Sequence, residues 1–172
     1  MEFHLTTCTL RPWRMSDLDS LVRHADNFKV ADNLRDLFPH PYTRQAGRLF
    51  IESAVTSPGR RWAIAVGDEA CGGVGVHLKE REERRTAEIG YWLGEACWGR
   101  GIMTEVVGAV SAWAFRTYPD LLRLEAGVFE GNPGSMRVLE KNGYVLEGRM
   151  RSRIVKAGVV RDQLMYARLR TP

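Results

Sequence analysis

The sequence predicts an α+β fold (α/β in some schemes), in which helices cover a mixed, mostly antiparallel central sheet. Strands at Arg61–Val66 and Gly72–Lys79 are separated by a short turn, which favours a hairpin. A strand, a helix and a strand at Thr86–Leu93, Ile102–Thr117 and Arg123–Phe129 form one crossover, which favours parallel pairing. Hairpins combined with one crossover indicate a mixed sheet rather than an all-parallel one.

The N-terminal third contains one strand and two helices. Thr7 to Trp13 alternates enough to predict a first strand. Ser16 is expected to cap a helix that runs to about Ala25. Thr43 is expected to start a second helix, which ends before Pro58-Gly59. The core-facing positions predicted for this second helix are Leu49, Phe50 and Ala54.

The C-terminal third contains the clearest local helix signature in the chain. Asn132 can cap a helix, Pro133 suits its first turn, and Gly143 suits the left-handed residue just past its end. Two strands at about Tyr144–Val155 and Val159–Leu169 complete the chain. The prediction is therefore about seven strands and about four helices.

Composition limits the class of protein. A chain of 172 residues with 44% apolar and 27% charged residues suits one soluble globular domain, which we assign to residues 1–172. No apolar run approaches the ~18 residues that span a bilayer. Three widely spaced cysteines favour a reducing cytoplasm and provide no metal-ligand spacing. The net charge of +4 suits a polyanionic ligand or simply maintains solubility, and no basic, aromatic-rich stripe predicts nucleic-acid binding.

The segment Trp98–Thr104 lies between a predicted strand and a predicted helix. Gly99 and Gly101 leave room for a ligand to approach the backbone, where the first N–H groups of the helix can bind an anion. The P-loop pattern is absent, and a dinucleotide fingerprint needs a third glycine where Thr104 stands. The turn is therefore predicted to bind a phosphate group, but as neither a P-loop nor a dinucleotide-binding turn.

Several segments, taken in order, resemble the GNAT superfamily of acetyl-CoA-dependent N-acetyltransferases, specifically the ribosomal-protein N-terminal acetylase-like (RimJ/RimL-like) group. The segments that carry the resemblance are Leu10–Pro12, Ala87–Leu93, Cys97–Val106, Asn132–Tyr144 and Asp162–Tyr166. The resemblance implies the GNAT fold, with the sheet splayed between its fourth and fifth strands. It also implies acetyl-CoA as co-substrate and no metal.

The same resemblance assigns residues to acetyl-CoA. The residues it implies in cofactor binding are Tyr91, Trp92, Leu93, Trp98, Gly99, Arg100, Gly101, Ile102, Met103, Thr104, Asn132, Ser135 and Arg137. Backbone N–H groups of the glycine turn are expected to hold the pyrophosphate, and the strand before it is expected to run beside the pantetheine arm. Simple core packing is the alternative for Trp92, and helix capping is a second role for Asn132.

Two residues are implied in catalysis. Glu88 is a carboxylate in an otherwise apolar strand and is the expected base, because an alkylammonium is mostly charged at pH 7. Its alternative is a solvated glutamate paired with Arg85. Ser135 is expected near the sulfur, since Leu139 stands where many family members carry a tyrosine. The alternative for Ser135 is a plain surface serine.

The acceptor is predicted only as a primary amine, either a protein N-terminus or a small molecule. The segment from Asn27 to Thr56 and the last hairpin are expected to line its pocket. Arg149, Arg151 and Arg153 alternate and are expected to share one strand face, which either attracts an acidic substrate or is solvated. A homodimer is a further expected partner state. The rival function is a non-catalytic acyl-CoA-binding sensor or regulatory module.

Overall fold

The computed structural model describes residues 1–56 and 60–170, so the predicted break at Pro58-Gly59 lies outside the described residues. The described strands are β1 Phe3–His4, β2 Thr9–Arg11, β3 Arg61–Val66, β4 Glu69–Leu78, β5 Thr86–Leu93, β6 Arg123–Phe129, β7 Val145–Lys156 and β8 Val159–Leu169. The described α-helices are α1 Leu18–Ala25, α2 Phe28–Ala31, α3 Arg44–Thr56, α4 Ile102–Thr117 and α5 Pro133–Lys141. The predicted α+β fold is confirmed, with β1 and α2 as additional short elements.

The strands form one sheet in the order β1-β2-β3-β4-β5-β6-β8-β7. Strands β5 and β6 pair in parallel, whereas β6 with β8 and β8 with β7 pair antiparallel. The chain divides into two compact units. The first consists of Met1–Gly75 and Tyr91–Glu105, and the second consists of Val76–Gly90 and Val106–Pro172. Strands β4 and β5 and helix α4 each contribute residues to both units.

The start of α1 differs from the prediction because of a buried ion pair in the first unit. Ser16 does not cap the helix, since a short 3₁₀ turn at Met15–Asp17 precedes α1. The carboxylate of Asp17 accepts hydrogen bonds from both Nη atoms of Arg11 at 2.8 Å and from the backbone N–H of Arg14 at 2.8 Å. Asp17 thus organises this turn through a contact with β2, which local sequence does not reveal.

Helix α3 begins where it was expected, and one of its three predicted core-facing residues is exposed instead. The Thr43 hydroxyl accepts the Ala46 N–H at 3.1 Å, which confirms the predicted start. Leu49 was predicted to be buried and is 60% exposed instead. The buried face runs through Gly47, Ile51 and Ala54, a helical spacing that packs against the core of the first unit. Ala54 is buried and Phe50 packs against this core as predicted, so the prediction was wrong for Leu49.

In the second unit, β5 and β6 separate after a short ladder. The three paired positions are Thr86 with Arg123, Ala87 with Leu124, and Glu88 with Glu125. In the register of the described residues, no pairs follow these, although β5 continues through Gly90 and β6 through Gly127 in this unit. This separation is the predicted splay of the sheet. Backbone groups in such a gap are available to a bound ligand.

Helix α5 follows local rules closely. Asn132 caps it by accepting the Ser135 N–H at 3.1 Å, Pro133 occupies the first turn, and Gly143 has a φ of 75° after the last residue. The buried hydroxyl of Tyr144 then contacts the Ser111 hydroxyl of α4 at 2.8 Å. Burial raises the pKa of Tyr144 to about 12, although the Ser111 contact opposes the rise. The phenol is therefore a structural group.

The last hairpin contains a bulge that was not predicted. Pairing shifts between Met150 and Ile154 of β7, and Ser152 has a φ of 53°. The Asp162 carboxylate of β8 accepts the Ser152 N–H at 2.8 Å and also binds the Arg149 guanidinium. Because the bulge interrupts the pleat, the strict alternation predicted to place Arg149, Arg151 and Arg153 on one face does not hold.

Candidate functional site

The glycine turn of the first unit has the backbone shape of an anion cradle. Gly99 and Gly101 have φ values of 73° and 77°, a left-handed region that residues with side chains rarely adopt. A Cβ added to either glycine would meet no protein atom within 4 Å, so the space above the turn is open. Helix α4 begins directly afterwards at Ile102, and its first intrahelical bond runs from the Glu105 N–H to the Gly101 carbonyl. N–H groups at such a helix start are donors for an anion.

Glu105 anchors the first turn of α4 to the N-terminal segment. Its carboxylate accepts the backbone N–H of Thr6 at 2.6 Å, the N–H of Thr7 at 2.9 Å and the Thr7 hydroxyl at 2.6 Å. The Thr7 hydroxyl is the largest of these influences, and together they lower the pKa of Glu105 to about 2. The helix start beside the glycine turn is therefore held by a permanently charged anchor at neutral pH.

The predicted pantetheine strand lies just before this turn. Trp98 donates its indole N–H to the Leu93 carbonyl at 2.7 Å, which folds the start of the turn back onto the end of β5. Trp92 packs against Phe38 with ring centroids 5.3 Å apart and borders the core of the first unit. The packing interpretation of the Trp92 side chain is thus supported. Tyr91 is half-buried.

Glu95 is a functional candidate that sequence reasoning missed. It lies in the 3₁₀ turn Glu95–Cys97 between β5 and the glycine turn. Its carboxylate accepts the Asn27 side-chain amide at 2.8 Å and pairs with Lys29. The Lys29 contact is the main cause of a lowered Glu95 pKa, with the Asn27 bond next. These bonds connect the turn to the beginning of the segment that was expected to line the acceptor pocket.

Glu88 lies on the second unit, at the last paired position of the β5–β6 ladder. It is half-buried, whereas its neighbours Ala87 and Ile89 are buried on the opposite face. Its partner in register is Glu125, so the two carboxylates share one face of the sheet. Arg85, the alternative ion-pair partner, donates to the Asp120 carbonyl at 2.9 Å.

Glu125 is the second residue that sequence reasoning missed. It is buried and pairs with Lys79 at 2.5 Å and with Arg123 at 2.8 Å. Burial raises the pKa of Glu125, but the two cationic partners outweigh this effect and lower it overall. Arg123 in turn binds Glu147 at 2.7 Å. Glu125 is therefore a stably charged carboxylate beside Glu88.

The α5 residues occupy different environments. Ser135 and Asn132 are half-buried and joined by the cap, while Arg137 is exposed. Leu139, at the position of the family tyrosine, is fully buried with 0% exposure. The Ser135 side chain is thus the hydroxyl that this stretch of helix offers.

Each unit brings part of the predicted set together. The first unit contains Tyr91–Leu93 and Trp98–Thr104, and the second contains Glu88, Asn132, Ser135 and Arg137. Among residues 1–56 and 60–170, no group of His, Cys, Asp or Glu side chains could hold a metal ion. Within the same residues, no helix is both long and apolar enough to cross a membrane.

Comparison with known proteins matches this arrangement to a family. A family model described as an acetyltransferase (GNAT) domain matches residues 8–145. A curated relative, "Probable N-acetyltransferase YjcK" of Bacillus subtilis (strain 168), is 44% identical over 100 residues, which cover 58% of this chain and 55% of that protein. The chain therefore matches about half the length of this relative.

Solved structures match over almost the whole chain. A GNAT-family acetyltransferase from Bacillus anthracis superposes with a TM-score of 0.85 at 21% identity and covers 98% of both chains, which shows the fold. RimL, a ribosomal L7/L12 alpha-N-protein acetyltransferase solved in complex with coenzyme A, superposes with a TM-score of 0.83 at 26% identity. That match covers 96% of this chain and 95% of RimL.

Proposed function

The chain belongs to the GNAT acetyltransferase family, and from this premise we propose that it transfers an acetyl group from acetyl-CoA to a primary amine. The proposal treats residues 1–172 as one acetyltransferase domain. The observation that carries it is the glycine turn at the start of α4. Two left-handed glycines with open space above them fit a pyrophosphate, because any side chain there would occupy the path of the anion to the backbone.

The proposed acetyl-CoA contacts come from the glycine turn, from the end of β5 and from α5. N–H groups of Trp98–Thr104 bind the pyrophosphate, and Arg100, exposed in the turn, adds charge. Backbone groups of Tyr91–Leu93 hold the amide-rich pantetheine arm, while the Trp92 side chain stays packed. Asn132 caps α5 with its oxygen and has its amide N–H₂ available for acetyl-CoA, and exposed Arg137 binds a phosphate.

Glu88 serves as the base in the proposed reaction. An amine must lose a proton before its nitrogen attacks the thioester carbonyl, and the Glu88 carboxylate accepts that proton, either directly or through a water. The neighbouring Glu125 is compensated by Lys79 and Arg123, so Glu88 is the carboxylate of this pair that is assigned to the amine proton. Holding the amine and the thioester together supplies much of the acceleration.

Ser135 acts at the leaving group. As the carbon–sulfur bond breaks, the sulfur gains negative charge, and the Ser135 hydroxyl donates a hydrogen bond to it. Ser135 is a weak acid, so its contribution is stabilisation of the thiolate more than full proton transfer. The buried Leu139 offers no donor to take over this role.

The acceptor class follows from the family and from one relative. RimL is named for acetylating the N-terminus of a ribosomal protein. We therefore include protein N-termini as well as small-molecule amines among the acceptors to be tested. A cytoplasmic location belongs to the same proposal, and the three buried free cysteines Cys8, Cys71 and Cys97 agree with a reducing compartment.

A homodimer is a separate part of the proposal. Strand β7 is the last strand in the sheet order and exposes Val145, Leu146 and Val155, while β8 exposes Val159 and Val160. An exposed apolar edge strand tends to pair with another chain, and an antiparallel edge can pair with its own copy about a two-fold axis. Light scattering behind size-exclusion chromatography measures the mass that decides this point.

Thiol release from acetyl-CoA in the presence of an amine panel tests the proposed activity. The panel contains peptides with different N-terminal residues, a polyamine, amino acids and an aminoglycoside. We expect release with at least one class of acceptor. Tight binding without release on any acceptor would establish the rival acyl-CoA sensor. At 100 times its Kd, acetyl-CoA should add ~2.7 kcal/mol to the free energy of unfolding. If acetyl-CoA neither stabilises the protein nor releases its thiol with any amine, both the transferase and the sensor functions are contradicted.

A further inference from the structure

Strands β4 and β5 are neighbours in the sheet and run antiparallel, which fixes what lies opposite the proposed base. The Lys79 N–H donates to the Thr86 carbonyl at 3.0 Å, and at the other end of the ladder the Gly94 N–H donates to the Cys71 carbonyl at 2.8 Å. Both bonds have the same offset between the strands. Counting from Lys79 and Thr86, this register places His77 directly opposite the proposed base.

His77 and Glu88 project from the same face of the sheet. Side chains directly opposite on antiparallel strands have Cβ atoms about 4.5–5.5 Å apart, which brings an imidazole within reach of a carboxylate. His77 is exposed and Glu88 is half-buried, whereas Val76 and Ala87 are buried on the other face. The pair therefore joins a half-buried carboxylate to a group that water reaches.

The same face leaves room for an acceptor beside Glu88. Gly90 follows Glu88 by two residues along β5 and so faces the same side. A Cβ built on Gly90 would meet no atom of the described residues within 4 Å. An amine can therefore approach Glu88 from the Gly90 end of the strand, while His77 lies across from Glu88 on β4.

The charged groups that face His77 from the strands of the second unit are Lys79, Glu88, Arg123 and Glu125. Lys79 binds Glu125 at 2.5 Å and Glu83 at 3.3 Å, and Arg123 binds Glu125 at 2.8 Å. Because two cations compensate Glu125, Glu88 is the carboxylate of this face that is assigned to His77.

We propose that His77 acts through Glu88 as a proton acceptor and so sets the pH dependence of the acetyl transfer. The acceptor ammonium loses a proton to the Glu88 carboxylate, and a ring nitrogen of the neutral imidazole then takes that proton from Glu88. The carboxylate is restored, and the exposed imidazolium releases the proton to water. The proposal rests on the proposed function, because it takes Glu88 as the base.

An imidazole suits this step because it is the stronger base of the two groups. An ordinary histidine has a pKa about two units above that of an ordinary glutamate. An imidazolium beside a carboxylate is also stabilised by the opposite charge. His77 therefore makes removal of the amine proton more favourable than it is with Glu88 alone.

An NMR titration of the histidine side chains tests the pairing without any turnover. The His77 signal is identified by its loss in His77→Gln. Since a neighbouring carboxylate stabilises the imidazolium, Glu88→Gln should lower the pKa of His77 by about 0.5 or more. Glu82→Gln, which alters an exposed carboxylate of the turn before β5, should leave that pKa unchanged. An equal pKa of His77 in wild type and Glu88→Gln would overturn the proposal.

Steady-state kinetics with the most active amine of the panel test the proton transfer. We expect His77→Gln to lower kcat about tenfold, to leave the Kd of acetyl-CoA within twofold of wild type, and to regain activity when imidazole is added to the buffer. The acid limb of the kcat profile should also move to lower pH, because a carboxylate alone takes up its proton at lower pH than the pair does. His4→Gln, at an exposed histidine of β1, is the control and should match the wild type in each measurement.

Two kinetic results would overturn the proposal. A lower kcat with an unmoved acid limb and no recovery by imidazole would show that His77 has only a structural role, and an unchanged kcat would show that it takes no part in the reaction. Failure of the proposed function is distinguished by the wild type, which would then release no thiol with any amine. That result would overturn the proton transfer together with the function, even if the NMR titration shows the pairing.

Discussion

Glu88 carries the proposed chemistry at the scale of single residues. It is the half-buried carboxylate at the end of the β5–β6 ladder, and its replacement by glutamine preserves shape while removing the base. We expect Glu88→Gln to lower kcat about 100-fold and to leave the Kd of acetyl-CoA within twofold of wild type. Steady-state thiol release and titration measure the two quantities.

The matched control is Glu82→Gln, since Glu82 is an exposed carboxylate in the 3₁₀ turn Arg81–Glu83 before β5. This control should keep the wild-type kcat. If Glu88→Gln also keeps it, Glu88 is not the base.

Ser135 allows a clean test because its two polar groups act separately. The backbone N–H binds the Asn132 cap, so alanine at this position keeps the cap and removes only the hydroxyl. We expect Ser135→Ala to lower kcat roughly tenfold or more, with the melting temperature within a degree or two of wild type. An unchanged kcat would show that Ser135 is a surface serine without a catalytic role.

The Arg11–Asp17 pair controls stability at the scale of elements. Its side chains are 7% and 5% exposed, so removing one charge leaves the other buried and unpaired. Asp17→Asn should lower the free energy of unfolding by about 3 kcal/mol. Asp19→Asn is the control, because the Asp19–Arg44 pair is exposed, and its cost should be below ~0.5 kcal/mol. Equal midpoints of chemical denaturation for Asp17→Asn and Asp19→Asn would show that the buried pair stabilises the protein no more than the exposed pair does.

Glu105 gives helix α4 a pH-dependent anchor. Its folded pKa of about 2 lies below the ordinary value of 4.5, so its contribution is complete above pH 4.5 and is lost as the pH falls toward 2. Glu105→Gln should lower the free energy of unfolding at pH 7 by about 1–2 kcal/mol. The gap between variant and wild type should narrow between pH 5 and pH 3 in denaturation experiments, and a constant gap would show that the charge is irrelevant.

The elements also show which features local sequence can predict. Asn132, Pro133 and Gly143 bound α5 as expected, because caps and left-handed ends depend on a few adjacent residues. The predicted start of α1 was wrong because the position of Asp17 is fixed by its ion pair with Arg11 of β2. The bulge near Ser152 was missed for the same reason, since Asp162 on the opposite strand holds it.

Within the candidate site, too, some residues can be predicted from local sequence and others depend on partners elsewhere in the chain. The glycine turn was predictable because glycine spacing between a strand and a helix has a direct backbone meaning. Glu95 and Glu125 were missed because their importance arises from partners distant in sequence. Glu125 in particular lies 37 positions from Glu88 along the chain and beside it in the sheet.

At the scale of the whole molecule, the order of segments identified the family before any contact was known. The match to the GNAT domain over residues 8–145 and the superposition on RimL confirm that identification. The identity of the acceptor is not predicted by local sequence, because its pocket is formed by loops and exposed faces from different parts of the chain. The proposed acetyl-CoA site is tested directly by a binding measurement.

Titration of acetyl-CoA into wild type, Gly101→Ala and Gly67→Ala tests whether the glycine turn at the start of α4 binds the pyrophosphate. Both glycines have positive φ and open surroundings, with Gly67 in the β3–β4 hairpin turn, so the two substitutions impose similar backbone strain. We expect Gly101→Ala to raise the Kd of acetyl-CoA at least tenfold and Gly67→Ala to leave it unchanged. Equal Kd values for all three proteins would contradict the claim that this turn binds the pyrophosphate.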